Sequence, residues 1–209
     1  MSGLFLSRLF EAPWEYLAWV LIVMFSICVH EFAHAWTAVR RGDPTAAELG
    51  YLTLDPTRQL GGFSILVLMI FGLTWGAVRI NPRRLDRMGR ILVALSGPWA
   101  NLILLFVFGA AAAMLLRGWP SLRAEGAPWL LTQAARANAM LALLNLLPLP
   151  GLDGWHAVEA AVPAFEAAAE RAGRAVFWLT LIVVFFTPVG TLVWLGGDRV
   201  AAAVIGWLL

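Results

Sequence analysis

Polar and hydrophobic positions divide this chain into five long apolar segments joined by short polar stretches. The segments are Tyr16–Val39, Phe63–Ile80, Ile91–Leu116, Trp129–Leu147 and Ala175–Trp194. A helix needs about 20 apolar residues to cross a hydrocarbon layer of roughly 30 Å, so most of these runs are long enough to span. The first is closed by "RRGDP" (40–44), where Gly42 and Pro44 stop a helix. The loop 45–62 mixes Gly, Pro and β-formers and has room for a short strand. Gly72 and Gly76 interrupt the second run. Pro188 is expected to kink the fifth, which neighbouring helices tolerate by re-satisfying the backbone. Residues 155–174 are Ala/Glu-rich and read as an interfacial helix, and Val200–Leu209 is too short to span. The expected fold is an all-α polytopic membrane protein. It has about four full transmembrane helices, a re-entrant helix/strand segment and a short C-terminal helix. With no repeat and no linker, residues 1–209 read as one membrane-embedded domain. Its core covers about 16–157, followed by C-terminal helices over 158–209.

Composition agrees. Hydrophobic residues make up 61% of the chain and charged ones 13%, against about a quarter charged in soluble domains. The basic residues are all arginine, and a net charge of +2 dispersed over loops gives no nucleic-acid surface. One cysteine, Cys28, excludes an internal disulfide. Trp14, Trp119, Trp129 and Trp194 near the ends of apolar runs suit an aromatic belt. The N-terminus has an "AHA" (33–35) that could serve a signal peptidase, but Glu11, Glu15 and the length of the apolar run argue against cleavage.

The first run carries the chemistry. In "VHEFAHAW" (29–36), His30, Glu31 and His34 are the strongly polar side chains of 24 otherwise apolar residues. Ionisable groups at membrane depth are costly and mark function by default. Residues four apart share a helix face, about 40° apart in projection, so both imidazoles can grip one ion. H-E-x-x-H on a helix reads as two zinc ligands plus a general base, Glu31. The plainer alternative is a pair of buried histidines bonded to neighbouring helices. It weakens in a membrane, where a bound metal removes most of the cost of three polar groups. Cys28 projects about 160° from His30 and reads as packing. A third ligand must come from another segment, and Asp153 in "PLPGLDGWH" stands out. Its prolines and glycines force a non-helical backbone, tolerated at membrane depth where it lines a cavity.

Together, "VHEFAHAW", "SGPWAN" (96–101) and "NLLPLPGLDG" (145–154) resemble the site-2 protease family of intramembrane zinc metalloproteases. "GDPTAAELGYLTLDP" (42–56) resembles its compact bacterial and archaeal branch, which lacks a PDZ domain. The resemblance covers roughly residues 25–157. It implies one Zn²⁺ per chain held by His30, His34 and Asp153, with Glu31 as catalytic base. It also implies supporting roles for Asn101 and Asn145, as oxyanion donors or holders of an unwound substrate. Two positions depart from the branch: Gly151, where a proline is common, and Gln59, where a histidine is common. His156 follows Asp153 by three residues. On a helix the two share a face, so His156 is either a partner of the ligand, a replacement ligand, or an exposed histidine at a helix start.

The implied function is peptide hydrolysis within or next to transmembrane segments of membrane proteins, with the bilayer and such substrates as partners. The alternatives are a membrane metal transporter, disfavoured because no internal repeat is found, and an inactive relative that binds membrane proteins. Topology follows from requiring one zinc site. His30 and His34 lie about 21–27 Å along the first helix from Tyr16, near its exit side. Asn101 and Asp153 must meet them there, so Leu60–Ile80 must enter and return on one side. A short helix from Phe63 to about Leu73 with an extended return, "TWGAVRINP", would do this, and could offer a strand edge to substrate. Ten arginines then flank the site and five the opposite side. By the positive-inside rule the site faces the cytoplasm of a prokaryotic cell membrane.

Overall fold

The computed structural model describes residues 5–76, 78–119, 126–162, 165, 180, 182–184 and 186–209. Its helices are α1 (Arg8–Glu11), α2 (Pro13–Arg40), α3 (Thr45–Glu48), α4 (Pro56–Gln59), α5 (Gly61–Phe71), α6 (Arg87–Gly118), α7 (Gly126–Asn145), α8 (Asp153–Ala161) and α9 (Pro188–Leu208). Three of them, α2, α6 and α9, are long and apolar enough to cross a membrane. The chain is a polytopic α-helical membrane protein. α7 has 20 residues, about 30 Å, but carries Gln133, Arg136 and Asn138 and lies inside the bundle.

α2 and α6 each start where a proline or a side chain settles free N–H groups. α2 opens with Pro13 in its first turn, and Asp86 caps α6 by accepting from the Gly89 N–H at 2.7 Å. α7 is the central element. On one side its Met140 and Leu141 join Val23 and Ile27 of α2 and Leu68 of α5. On the other, Ala135 and Ala139 meet Leu105, Ala112 and Ala113 of α6 and Ala201 and Ile205 of α9. Small residues let backbones approach closely, which is how helices gain packing energy where lipid supplies no hydrophobic drive. Leu21, Phe25, Ile103, Phe106 and Met114 point outward, as lipid-facing side chains should.

The segment after α4 enters and returns. α5 has 11 residues, about 16 Å, too short to cross. Its far end is fixed at the start of α2. The Tyr16 hydroxyl donates to the Met69 carbonyl at 3.0 Å, and Trp19 Nε1 donates to the Gly72 carbonyl at 2.7 Å. Gly72, at φ 75°, takes the left-handed conformation that ends the helix and reverses the chain. Six residues later the Val78 N–H meets Glu31. Twelve helical residues separate Trp19 from Glu31, about 18 Å, and six extended residues cover about 20 Å. The expected entry and return therefore holds. The expected strand does not: among the described residues there is no strand, either here or in loop 45–62. The return instead spends its hydrogen bonds on side chains and on α5, where the Thr74 hydroxyl donates to the Ser64 carbonyl.

The C-terminal reading is corrected. Pro188 does not kink a helix over Ala175–Trp194; it opens α9, with the Thr187 hydroxyl accepting from the Val189 N–H. A proline in the first turn forfeits no helical bond. No short terminal helix splits off, because "LGGDR" (195–199) stays helical and Asp198 pairs with Arg136 of α7 at 2.7 Å. α9 is thus 21 residues, about 31 Å, a full span. Residues 166–179, with the later part of the expected interfacial helix and the start of the fifth run, lie outside the described residues, as do Arg123, Arg171 and Arg174.

Candidate active site

The C-terminal half of α2 places His30, Glu31 and His34 in the interior, each less than one-tenth exposed. His34 Nδ1 lies 2.7 Å from the Val93 carbonyl of α6. A carbonyl only accepts, so Nδ1 carries the proton and the Nε2 lone pair faces the centre of the site. Pro98 loosens this turn of α6 by removing the bond to Ala94, and the adjacent Val93 carbonyl accepts from His34 and from the Ser96 hydroxyl. His30 Nδ1 lies 2.6 Å from Asn101 Oδ1. The two Nε2 atoms are 3.0 Å apart.

Asp153 comes to them from the first turn of α8. The chain leaves α7 at Asn145, loses helix through Pro148 and Pro150, turns at Gly151 (φ 88°) and restarts at Asp153. This puts Oδ2 3.0 Å from His30 Nε2 and Oδ1 3.3 Å from His34 Nε2. Oδ2 is buried without a conventional hydrogen-bond partner. Two imidazole lone pairs and a carboxylate are all acceptors, and packing them together is unfavourable unless a cation sits between them. The donor set of two nitrogens and one carboxylate is one that zinc accepts in catalytic sites, with one position left open. Gly97 of α6 abuts this centre: a Cβ there would fall on the Nε2 atoms of both histidines.

Glu31 also lies within reach, since ligand atoms of His30, Glu31 and His34 sit within 4.8 Å of one another. Its carboxylate, however, is directed to the return segment. Oε2 accepts from the Val78 N–H at 3.2 Å, and a Cβ on Gly76 would strike the carboxylate. Asp153, aimed at both imidazoles, is the better candidate for a third ligand, and Glu31 stands beside the set. These groups face a cavity of about 400 Å³. Trp75, Gly76, Val78 and Ile80 of the return form one wall, and Asn145, Leu152 and His156 another.

The remaining sequence candidates are placed as follows. Asn145 lines the cavity, with Nδ2 donating to the Leu141 carbonyl of its own helix at 3.1 Å. His156 is exposed on the cavity rim, and its Nδ1 pairs with Glu159 at 3.2 Å rather than with Asp153. Asn101 is fully buried with its amide engaged by His30 and Asn138, so it supports a histidine and is not positioned as an oxyanion donor. Cys28 is buried in the apolar core, as packing requires. Gln59 is inside the loop, donating to the Tyr51 and Thr53 carbonyls, away from the cavity rim. Sequence reasoning missed Asn138, Ser26 and Asp43. Asn138 had a signal, an amide in an apolar run, which is the same signal that singled out His30.

Residues 18–121 match the model for peptidase family M50. The chain is 35% identical over 184 residues to the candidate zinc metalloprotease YwhC of Bacillus subtilis (strain 168), covering 85% of this chain and 83% of YwhC. It is 36% identical over 173 residues to the candidate zinc metalloprotease Rip2 of Mycobacterium tuberculosis (H37Rv). That match covers 78% of this chain but 64% of Rip2, just under two thirds. With Rip2 of Mycolicibacterium smegmatis the identity is 33% over 179 residues, covering 79% of this chain and 65% of that one. No solved structure matches the chain.

Proposed function

Since the chain belongs to peptidase family M50, the site-2 proteases, we propose that it is a zinc endopeptidase that cuts membrane proteins within or next to their transmembrane segments. The observation that carries this reading is the convergence of His30, His34 and Asp153 beside Glu31 in a cavity between spanning helices. When bound by those three side chains, zinc supplies Lewis acidity toward a peptide carbonyl and makes water acidic near neutral pH. Val93 and Asn101 keep the protons of His34 and His30 on Nδ1, so both Nε2 atoms stay available as ligands. Glu31 takes the proton from the attacking water and returns it to the leaving amine, with the Val78 N–H fixing one of its oxygens. Asn145, on the cavity wall, donates to the substrate backbone.

A helical substrate hides its carbonyls in its own hydrogen bonds, so it must unwind before attack. The described residues of the return, 73–76 and 78–80, lie in no helix or strand, which supports a role in meeting the backbone of such an unwound strand. Segments of low helix propensity should be cut faster. The arginine division expected from the sequence, ten on the side of the site against five opposite, supports a site that faces the cytoplasm.

The test pairs metal analysis of purified protein with cleavage of a single-span reporter. Glu31→Gln should retain zinc and lose cleavage, because the amide cannot accept the proton. Asp153→Ala should lose zinc as well. Unchanged cleavage by Glu31→Gln overturns the mechanism, and full zinc in Asp153→Ala overturns the ligand set.

A further inference from the structure

His30 and His34 lie four residues apart on one helix, yet their protons are placed by different means. For His34 a backbone carbonyl suffices. For His30 the partner is Asn101, and an amide is ambivalent: it offers an oxygen that accepts or a nitrogen that donates. If the nitrogen faced His30, the ring would carry its proton on Nε2 and could not bind a cation there. Something must orient Asn101.

A buried chain of amides does so. Asn101 Nδ2 donates to Asn138 Oδ1 at 2.9 Å. Asn138 Nδ2 donates to the Ala134 carbonyl and to the Ser26 hydroxyl, both at 2.9 Å. The Ala134 carbonyl can only accept, which obliges the nitrogen of Asn138 to face it. The oxygen of Asn138 therefore faces Asn101, whose nitrogen must meet it. That leaves the Asn101 oxygen for His30 Nδ1. Both asparagines are fully buried, so water does not blur these choices.

We propose that Asn138 is a positioning residue that fixes the tautomer of His30 through Asn101, reading its polarity from the Ala134 carbonyl. The chain runs from α7 through α6 to α2 and needs no contact between Asn138 and the ion. It rests on the metal-site reading for its consequence but not for its geometry. Replacing Asn138 by Ala leaves Asn101 free to present either end. Water entering the space would donate or accept equally well, so the polarity is lost.

Two measurements test this. The first is nitrogen NMR of the zinc-free protein with labelled histidines, at a pH where the imidazoles are neutral. His30 should be protonated on Nδ1 in the wild type and should populate the Nε2-protonated form in Asn138→Ala. His34, held by Val93, should not change. The second is zinc affinity by chelator competition. Asn138→Ala should weaken binding about 10–100-fold, as loss of a ligand's hydrogen-bond support does. Asn101→Asp removes the ambivalence, because both carboxylate oxygens accept. In that background Asn138→Ala should therefore cost about twofold or less, against that 10–100-fold.

Equal loss in both backgrounds would make Asn138 a packing residue and overturn the proposal. So would a His30 tautomer unchanged in Asn138→Ala. A wild type that binds no zinc would instead defeat the metal-site reading, and the NMR arm would still decide the role of Asn138.

Discussion

On one side of the cavity, α6 presses Gly97 and the Val93 carbonyl onto the imidazoles of His30 and His34. On the other, residues 73–76 and 78–80 run without helix, and their hydrogen bonds include single ones to Glu31, Ser64 and, at Asn81, Asp43. The first wall is part of a 32-residue helix packed along α2 and α7, so its position is set by the whole bundle. Each of these bonds is worth only about 0.5–1.5 kcal/mol net, and the rest of the hold on this wall is the packing of Leu73, Trp75 and Ile80 against neighbouring helices. The two walls thus separate two tasks. Under the proposed function, one would hold the ion and the other would meet the substrate and admit it. Changes to the first wall should act on zinc and changes to the second on turnover alone.

Gly97→Ala should have the largest effect. Its Cβ would occupy the place of the two Nε2 atoms. Relief would require shifting α6 or both ligands. Zinc affinity should fall by the upper end of the about 10–100-fold range or more, and cleavage should vanish with it. Wild-type zinc content in a folded Gly97→Ala protein would show that the α6 wall gives way as easily as the other.

Gly76→Ala is the matched change on the second wall, where the new Cβ would meet the Glu31 carboxylate. Here the return can move aside, so zinc should stay at the wild-type level. Misplacing the base or the return by about 1 Å can cost on the order of 100-fold in turnover. A parallel drop in zinc and cleavage would erase the distinction between the walls.

These walls differ too in how far the sequence discloses them. The histidine pair is legible because helical periodicity alone puts residues four apart on one face. Asp153 is legible because Pro148, Pro150 and Gly151 cannot continue a helix. The return of 73–80 is legible by length, since one short run cannot cross twice. What the sequence hides is non-local. The pairing of Asp198 with Arg136, 62 positions away, keeps "LGGDR" inside a helix that local rules would end. The engagement of Asn101 depends on which end of its amide faces His30, and no spacing rule encodes that. Asp43 reads as a loop residue of "RRGDP", yet it is fully buried because the return folds over it.

Asp43 gives the smallest and most selective test. Its Oδ1 accepts from the backbone N–H and the hydroxyl of Thr45, at 3.1 and 2.5 Å, and its Oδ2 accepts from the Asn81 N–H at 2.7 Å. It therefore joins the exit of α2 to the end of the return. Burial alone would raise its pKa. The bonds from Thr45 and Asn81, aided by the charge of Arg84, outweigh that and hold the carboxyl below its ordinary range. A depressed folded value means that the stabilisation is present above the ordinary carboxylate pKa of about 4 and is lost as pH falls through the lowered value. Asp43→Asn turns one acceptor into a donor and strands either Asn81 or Thr45. Leaving a buried group unpaired costs about 1–3 kcal/mol, so opening of residues 78–81 should become easier by that amount in hydrogen exchange. Zinc content should not change. Corrected for intrinsic exchange, wild-type protection should be level above about pH 5 and decline only in stronger acid, while Asp43→Asn should show no such decline. Wild-type protection in Asp43→Asn would mean that the return is held by its contacts with α5 and Glu31 alone, and the second wall would then be stiffer than its side-chain bonds imply.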